Sequence, residues 1–164
     1  MALISENFRD AFGDIRLQVI VQDRTTRLSC IRRVSDNEAL SFHIVLFTEA
    51  GIKALGAVHE KIVAGGLLGK VIQASKVPYA RTISDKTSIE MSAGLASLFV
   101  TSESRCTTER IEYRVRGVPY ATIYEFYNPK YTPVIEQAGI LNREVRMHIQ
   151  KHLSGGLSRQ SKKT

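Results

Sequence analysis

Apolar and polar residues alternate with a period of two over IRLQVIVQ (15–22), where β-branched side chains also favour a strand. The same alternation recurs in RLSCIRRV (27–34) and ALSFHIVLF (39–47), so DRTT and SDNE read as the turns of an antiparallel meander. A helical turn is expected around 7–12, before the first strand. After TEAG the period changes. Ile52, Leu55, Val58 or His59, and Ile62 recur at helical spacing and predict a helix over 52–63, stopped by Gly65 and Gly66. LLGKVIQAS (67–75) predicts a second helix, YARTIS (79–84) a strand, and TSIEMSAGLASLF (87–99) a third helix with small residues along it. Residues 105–115 and 119–129 predict two strands around Arg116-Gly117-Val118, a second hairpin. Residues 133–152 predict a helix, weakened at Gly139 and closed by Gly155-Gly156. The expected fold is α+β, an antiparallel sheet of about six strands with helices inserted between two β-hairpins.

Composition narrows the class. The 164 residues are 43% hydrophobic and 24% charged, enough for one core without a metal or disulfide. Cys30 and Cys106 are too few for a disulfide scaffold and form no CxxC pair. No apolar run is long enough to span a bilayer, and the charges in MALISENFRDAFGD do not suit a signal peptide, so a cytoplasmic location is expected. The net charge of +7 is uneven: six of the basic residues and only one acidic residue follow position 142, leaving +2 before it. We expect one domain over 1–153 and a solvated basic tail over 154–164, with no direct nucleic-acid partner.

Catalytic signatures are scarce. The chain has no phosphate-binding glycine loop, no GxSxG elbow and no HExxH. His148 and His152 would share a helix face at i and i+4, but no third ligand lies near them in sequence, so no metal is expected. The tyrosines and phenylalanine between 113 and 127 read as sheet packing. Two charged residues break the pattern of their strands. Leu28, Cys30, Arg32 and Val34 form one face that is apolar except for Arg32; Arg27, Ser29, Ile31 and Arg33 form the other. Pro119, Ala121, Ile123, Glu125 and Tyr127 form a face that is apolar except for Glu125. A buried Arg and a buried Glu are costly unless they pair with each other or meet a ligand, so they mark either a structural ion pair or a pocket.

The succession IRRV, turn, NEALSFHIVLF, then GLLGKVIQAS, ARTI and RIEYRVRGVPYATIYEFYNP, over roughly residues 15–129, resembles the chorismate lyase fold. Leu68-Gly69-Lys70 is similar to the Leu-Gly-Arg/Lys step of chorismate pyruvate-lyases, and Arg81 falls where those enzymes carry an arginine. The resemblance implies that Arg32 and Arg81 bind carboxylate, that Leu68 and Gly69 give backbone contacts, and that Glu125 handles protons. Chorismate would then lose pyruvate to give 4-hydroxybenzoate, without cofactor or metal. A second group with this fold, the UTRA effector-binding domain of GntR-type regulators, resembles the chain about as well. It implies Arg33, Glu125 and Tyr131 as ligand contacts. No winged-helix segment accompanies these residues, so the lyase is the expected function and a non-catalytic, UTRA-like sensor of acidic effectors is the alternative. The expected partner is a small carboxylate-bearing ligand; a homodimer is left open.

Overall fold

The structure, a computed structural model, describes residues 4–84, 86–137 and 146–150. Helix α1 (Ile4–Phe12) leads into β1 (Ile15–Gln22) and β2 (Thr26–Arg33). The Asp23 carboxylate makes the turn between them by accepting the N–H groups of Thr25 and Thr26 at 2.9 and 2.7 Å. Strand β3 (Ala39–Phe47) follows and ends at Thr48, which caps α2 (Glu49–Leu55) by accepting the Gly51 N–H at 2.9 Å.

The single helix expected over 52–63 is two helices. Gly56, at φ 60°, ends α2, and α3 (Ala57–Val63) restarts from it. Helix α4 (Leu68–Ser75) ends at Lys76, also at positive φ, and hands over to β4 (Tyr79–Ile83).

The helix expected over 87–99 is half strand. β5 (Thr87–Glu90) pairs with the start of β6 (Arg105–Val115), while only α5 (Ala93–Leu98) is helical. Ser92 marks the change by accepting the Leu95 N–H. Arg116 and Gly117, both at positive φ, turn β6 into β7 (Val118–Tyr127).

The helix expected over 133–152 is also overturned. α6 (Thr132–Gln137) is short, and β8 (Arg146–Gln150) is a strand beside β4. His148 therefore lies in a strand, and His152, like the tail expected over 154–164, falls outside the described residues.

The α+β class with an antiparallel sheet stands; where about six strands were expected, eight are described, in the order β1-β2-β3-β7-β6-β4-β8, with β5 beside β6. Every pairing is antiparallel. The β3–β7 pair joins the first meander to the second hairpin, which places residues far apart in sequence on one floor.

Helices α2, α3 and α4 cover one face of this floor. Leu55, Ile62, Leu68 and Ile72 meet Val45, Phe47, Tyr120 and Ile123 there. A second cluster gathers Phe8 and Ile135 on Ile31, Leu40 and Tyr127. Arg27 ties the helical layer to the sheet. It is buried, and its guanidinium donates to Gln22 Oε1 at 2.7 Å, to Gly66 O at 2.8 Å and to Ile62 O. Its neighbours in the inward alternation of β2 are Ser29 and Ile31, both buried.

Candidate functional site

Strand register builds the floor of a pocket. Ser29 lies opposite His43, His43 opposite Glu125, and Glu125 opposite Glu109, a polar row running across β2, β3, β7 and β6. All four are buried. His43 is held on both ring nitrogens, Nε2 at 2.8 Å from Ser41 Oγ and Nδ1 at 3.3 Å from Ser29 Oγ. Burial pushes its pKa below the ordinary 6.5; the attraction of Glu125 acts the other way, and Arg27 reinforces the fall. The Tyr127 hydroxyl donates to Glu125 Oε2 at 2.6 Å and lies 3.5 Å from Glu109 Oε2. Burial, then the two carboxylates, raise the Tyr127 pKa well above 10, so it remains a proton donor.

The other end of the pocket is cationic. Alternation along β4 turns Tyr79, Arg81 and Ile83 inward. The buried Arg81 guanidinium sits over the Tyr113 ring, 5.9 Å from its centroid. Arg81 Nε is buried and has no hydrogen-bond partner among the described residues. Burial raises the Tyr113 pKa to about 12, with Arg81 opposing the rise. The first turn of α4 brings Leu68, Gly69 and Lys70 to the same cavity. Its N-cap is Leu67, whose side chain offers no acceptor, so the first N–H groups are open to a ligand and carry the positive end of the helix dipole. Apolar walls from Leu17, Ile31, Val45, Ile111 and Ile123 complete a cavity of about 90 Å³.

The residues singled out in the sequence fall into three groups. Glu125, Leu68, Gly69 and Arg81 line this pocket together. Arg32 does not. It stands on the opposite face of β2, where Nε donates to Gln18 Oε1 at 2.6 Å and Nη1 to Asn37 O at 2.8 Å. The apolar character of Leu28 and Cys30 pointed that face inward, but the inward face is the one carrying Arg27, Ser29 and Ile31. Arg33 and Tyr131 form a third group at the far end of the sheet. Arg33 pairs with Asp36 at 2.6 Å, donates to the Tyr131 hydroxyl at 3.0 Å and stacks over the Tyr131 ring. The Tyr131 hydroxyl in turn donates to Glu38. That group is a closed network and does not line the cavity. Among the described residues no cluster of three His, Cys, Asp or Glu could hold a metal ion, and no helix is long and apolar enough to cross a membrane.

No family model and no curated protein matches the sequence. Solved structures do resemble the fold. The ligand-binding domain of a protein assigned to the GntR family of transcriptional regulators, from Bordetella bronchiseptica, aligns over 69% of this chain and 85% of its own. Its TM-score is 0.52 and its identity 10%. A GntR-family transcriptional regulator from Bacillus cereus aligns over 71% and 92% (TM-score 0.53, 6% identity). The C-terminal domain of the histidine utilization repressor from Pseudomonas syringae aligns over 71% and 93% (TM-score 0.52, 8% identity). The fold is that of these regulator ligand-binding and C-terminal domains.

Within this fold, three pocket residues carried no sequence signal of their own. His43 read as a strand residue without metal spacing, Tyr113 as packing, and Lys70 only as part of a motif. The signal that could have found His43 is parity. In β3 it shares a face with Ser41, Val45 and Phe47, all buried, and the register sets it directly against Glu125.

Proposed function

We propose that the pocket binds a small anionic molecule and that the chain acts as a ligand-sensing domain, its occupancy read by a transcription-regulating partner. One observation carries this reading. A buried arginine whose Nε lacks a partner among the described residues lines the same cavity as an uncapped helix N-terminus. Both are donors without acceptors, and a carboxylate or phosphate would satisfy them together. The resemblance to GntR-family ligand-binding domains supports the sensing role over the lyase. The lyase reading needed Arg32 as its carboxylate-binding group, and Arg32 is on the other side of the sheet.

Calorimetric titration of short carboxylates and inorganic phosphate tests the reading. Arg81→Gln is expected to weaken anion binding about 10- to 150-fold, the scale of a charge-assisted hydrogen bond in a shielded site. Arg32→Gln should leave it within about twofold, because Arg32 bonds Gln18 and Asn37 on the face of β2 away from the cavity. Equal sensitivity to both changes would sink the assignment, and release of pyruvate from chorismate would restore the enzyme.

A further inference from the structure

The pocket has two ends of opposite polarity, and they do not neutralise each other. Arg81 lies opposite Tyr113, and Tyr113 opposite Ala121; Glu125 is four residues further along β7. At about 3.3 Å per residue the two backbone positions are roughly 13 Å apart along the strands, with a strand between them. Among the described residues neither Arg81 nor Glu125 forms an ion pair. Glu125 accepts Tyr127 at Oε2, and no described residue donates to its Oε1. Around that carboxyl stand a second buried carboxyl, Glu109, and a histidine whose cationic form burial disfavours. Among the described residues no lysine or arginine forms an ion pair with Glu125, although Arg81 and Lys70 line the same cavity.

We infer that the ligand is zwitterionic: a small molecule whose anionic group meets Arg81 and the start of α4, and whose ammonium or comparable cationic donor meets Glu125. The inference rests on the ligand-sensing reading above and adds the second charge. A plain acid would fill the donor end and leave Glu125 with the Tyr127 hydroxyl, at Oε2, as its only described side-chain donor. A molecule bearing both charges satisfies both ends at once. Its length is set by the slot, so one spacing of the two charges should be favoured over its shorter and longer homologues.

The test compares matched probes on the intact chain. ω-Amino carboxylates of three to six carbons are titrated beside the alkanoates that lack the amine. The same comparison with O-phosphoethanolamine and ethyl phosphate distinguishes carboxylate from phosphate as the anion. At least one amine-bearing probe should bind about tenfold or more tightly than its amine-free counterpart, the range for a charge-assisted hydrogen bond. Glu125→Gln keeps the shape of the side chain and should erase that advantage while leaving the amine-free acid within about threefold. The wild-type comparison stands by itself if that variant fails to fold. Binding that depends on Arg81 but shows no preference for the amine would overturn the zwitterion and leave the sensor. An advantage that survives Glu125→Gln would overturn it as well. Absence of binding by every probe would overturn both.

Discussion

Burial disfavours the cationic form of His43, which is enclosed by Ser29, Ser41 and Glu125. This has a consequence for stability. Its folded pKa lies below 6.5, so as pH falls through about 6.5 the unfolded chain takes up the proton first. The stability contributed by the neutral ring is complete above about 6.5 and is lost progressively as pH drops towards the folded value. His59, shifted in the same direction by burial, adds to the slope. Urea unfolding at pH 7.5, 6.5 and 5.5 should show falling midpoints, and His43→Gln should flatten part of the decline. An unchanged slope would mean that His43 is not the group responsible. At this scale Glu125 was legible in the sequence as a charge in an apolar alternation, whereas Arg81 was reached only through the resemblance of its motif. Arg32 was misassigned by the rule that found Glu125. Cys30 is buried on the outer face, so apolar content did not distinguish the two sides of β2.

At the scale of elements, the approach of α2 to β7 depends on Gly51. A Cβ built there would lie 2.6 Å from Pro119 O and against the Tyr120 backbone, which cannot move aside like a side-chain tip. Gly51→Ala should therefore destabilise the fold by about 1–3 kcal/mol, the usual cost of overpacking, despite the better helix propensity of alanine. Chemical denaturation measures it, and a neutral or stabilising outcome would refute the close packing. The sequence located the strands of both hairpins to within a residue or two, because alternation and turn residues are local signals. It misread 87–90 and 146–150 as helix. Those segments are strands because β6 and β4 offer them open edges, which no local period records.

At the scale of the whole molecule, Arg27 couples two layers. Its guanidinium reaches the end of α3 and the start of the α4 connection from within the sheet. Burial lowers its pKa, yet it donates to the Gly66 carbonyl, which has no other described donor, and to the Ile62 carbonyl, which also accepts the Gly65 N–H at 3.0 Å. Lysine lacks the planar fork that reaches both acceptors, so Arg27→Lys should leave the Gly66 carbonyl without its described donor, at a cost of about 1–3 kcal/mol. Native-state hydrogen exchange should then quicken in α3 and α4 before it does in β3, β6 and β7. Uniform quickening would show that the layers unfold as one unit. Because α4 carries one wall of the pocket, the same variant should also weaken anion binding.

The sequence by itself determined the α+β class, the two hairpins and the misplaced charge of Glu125, because period, turn chemistry and charge pattern act over a few residues. Which face of β2 looks inward was decided by tertiary structure, since the helices cover only one side of a sheet whose two sides are both partly apolar. The row Ser29, His43, Glu125, Glu109 was decided there too, for it exists only through pairings that join strands from opposite ends of the chain.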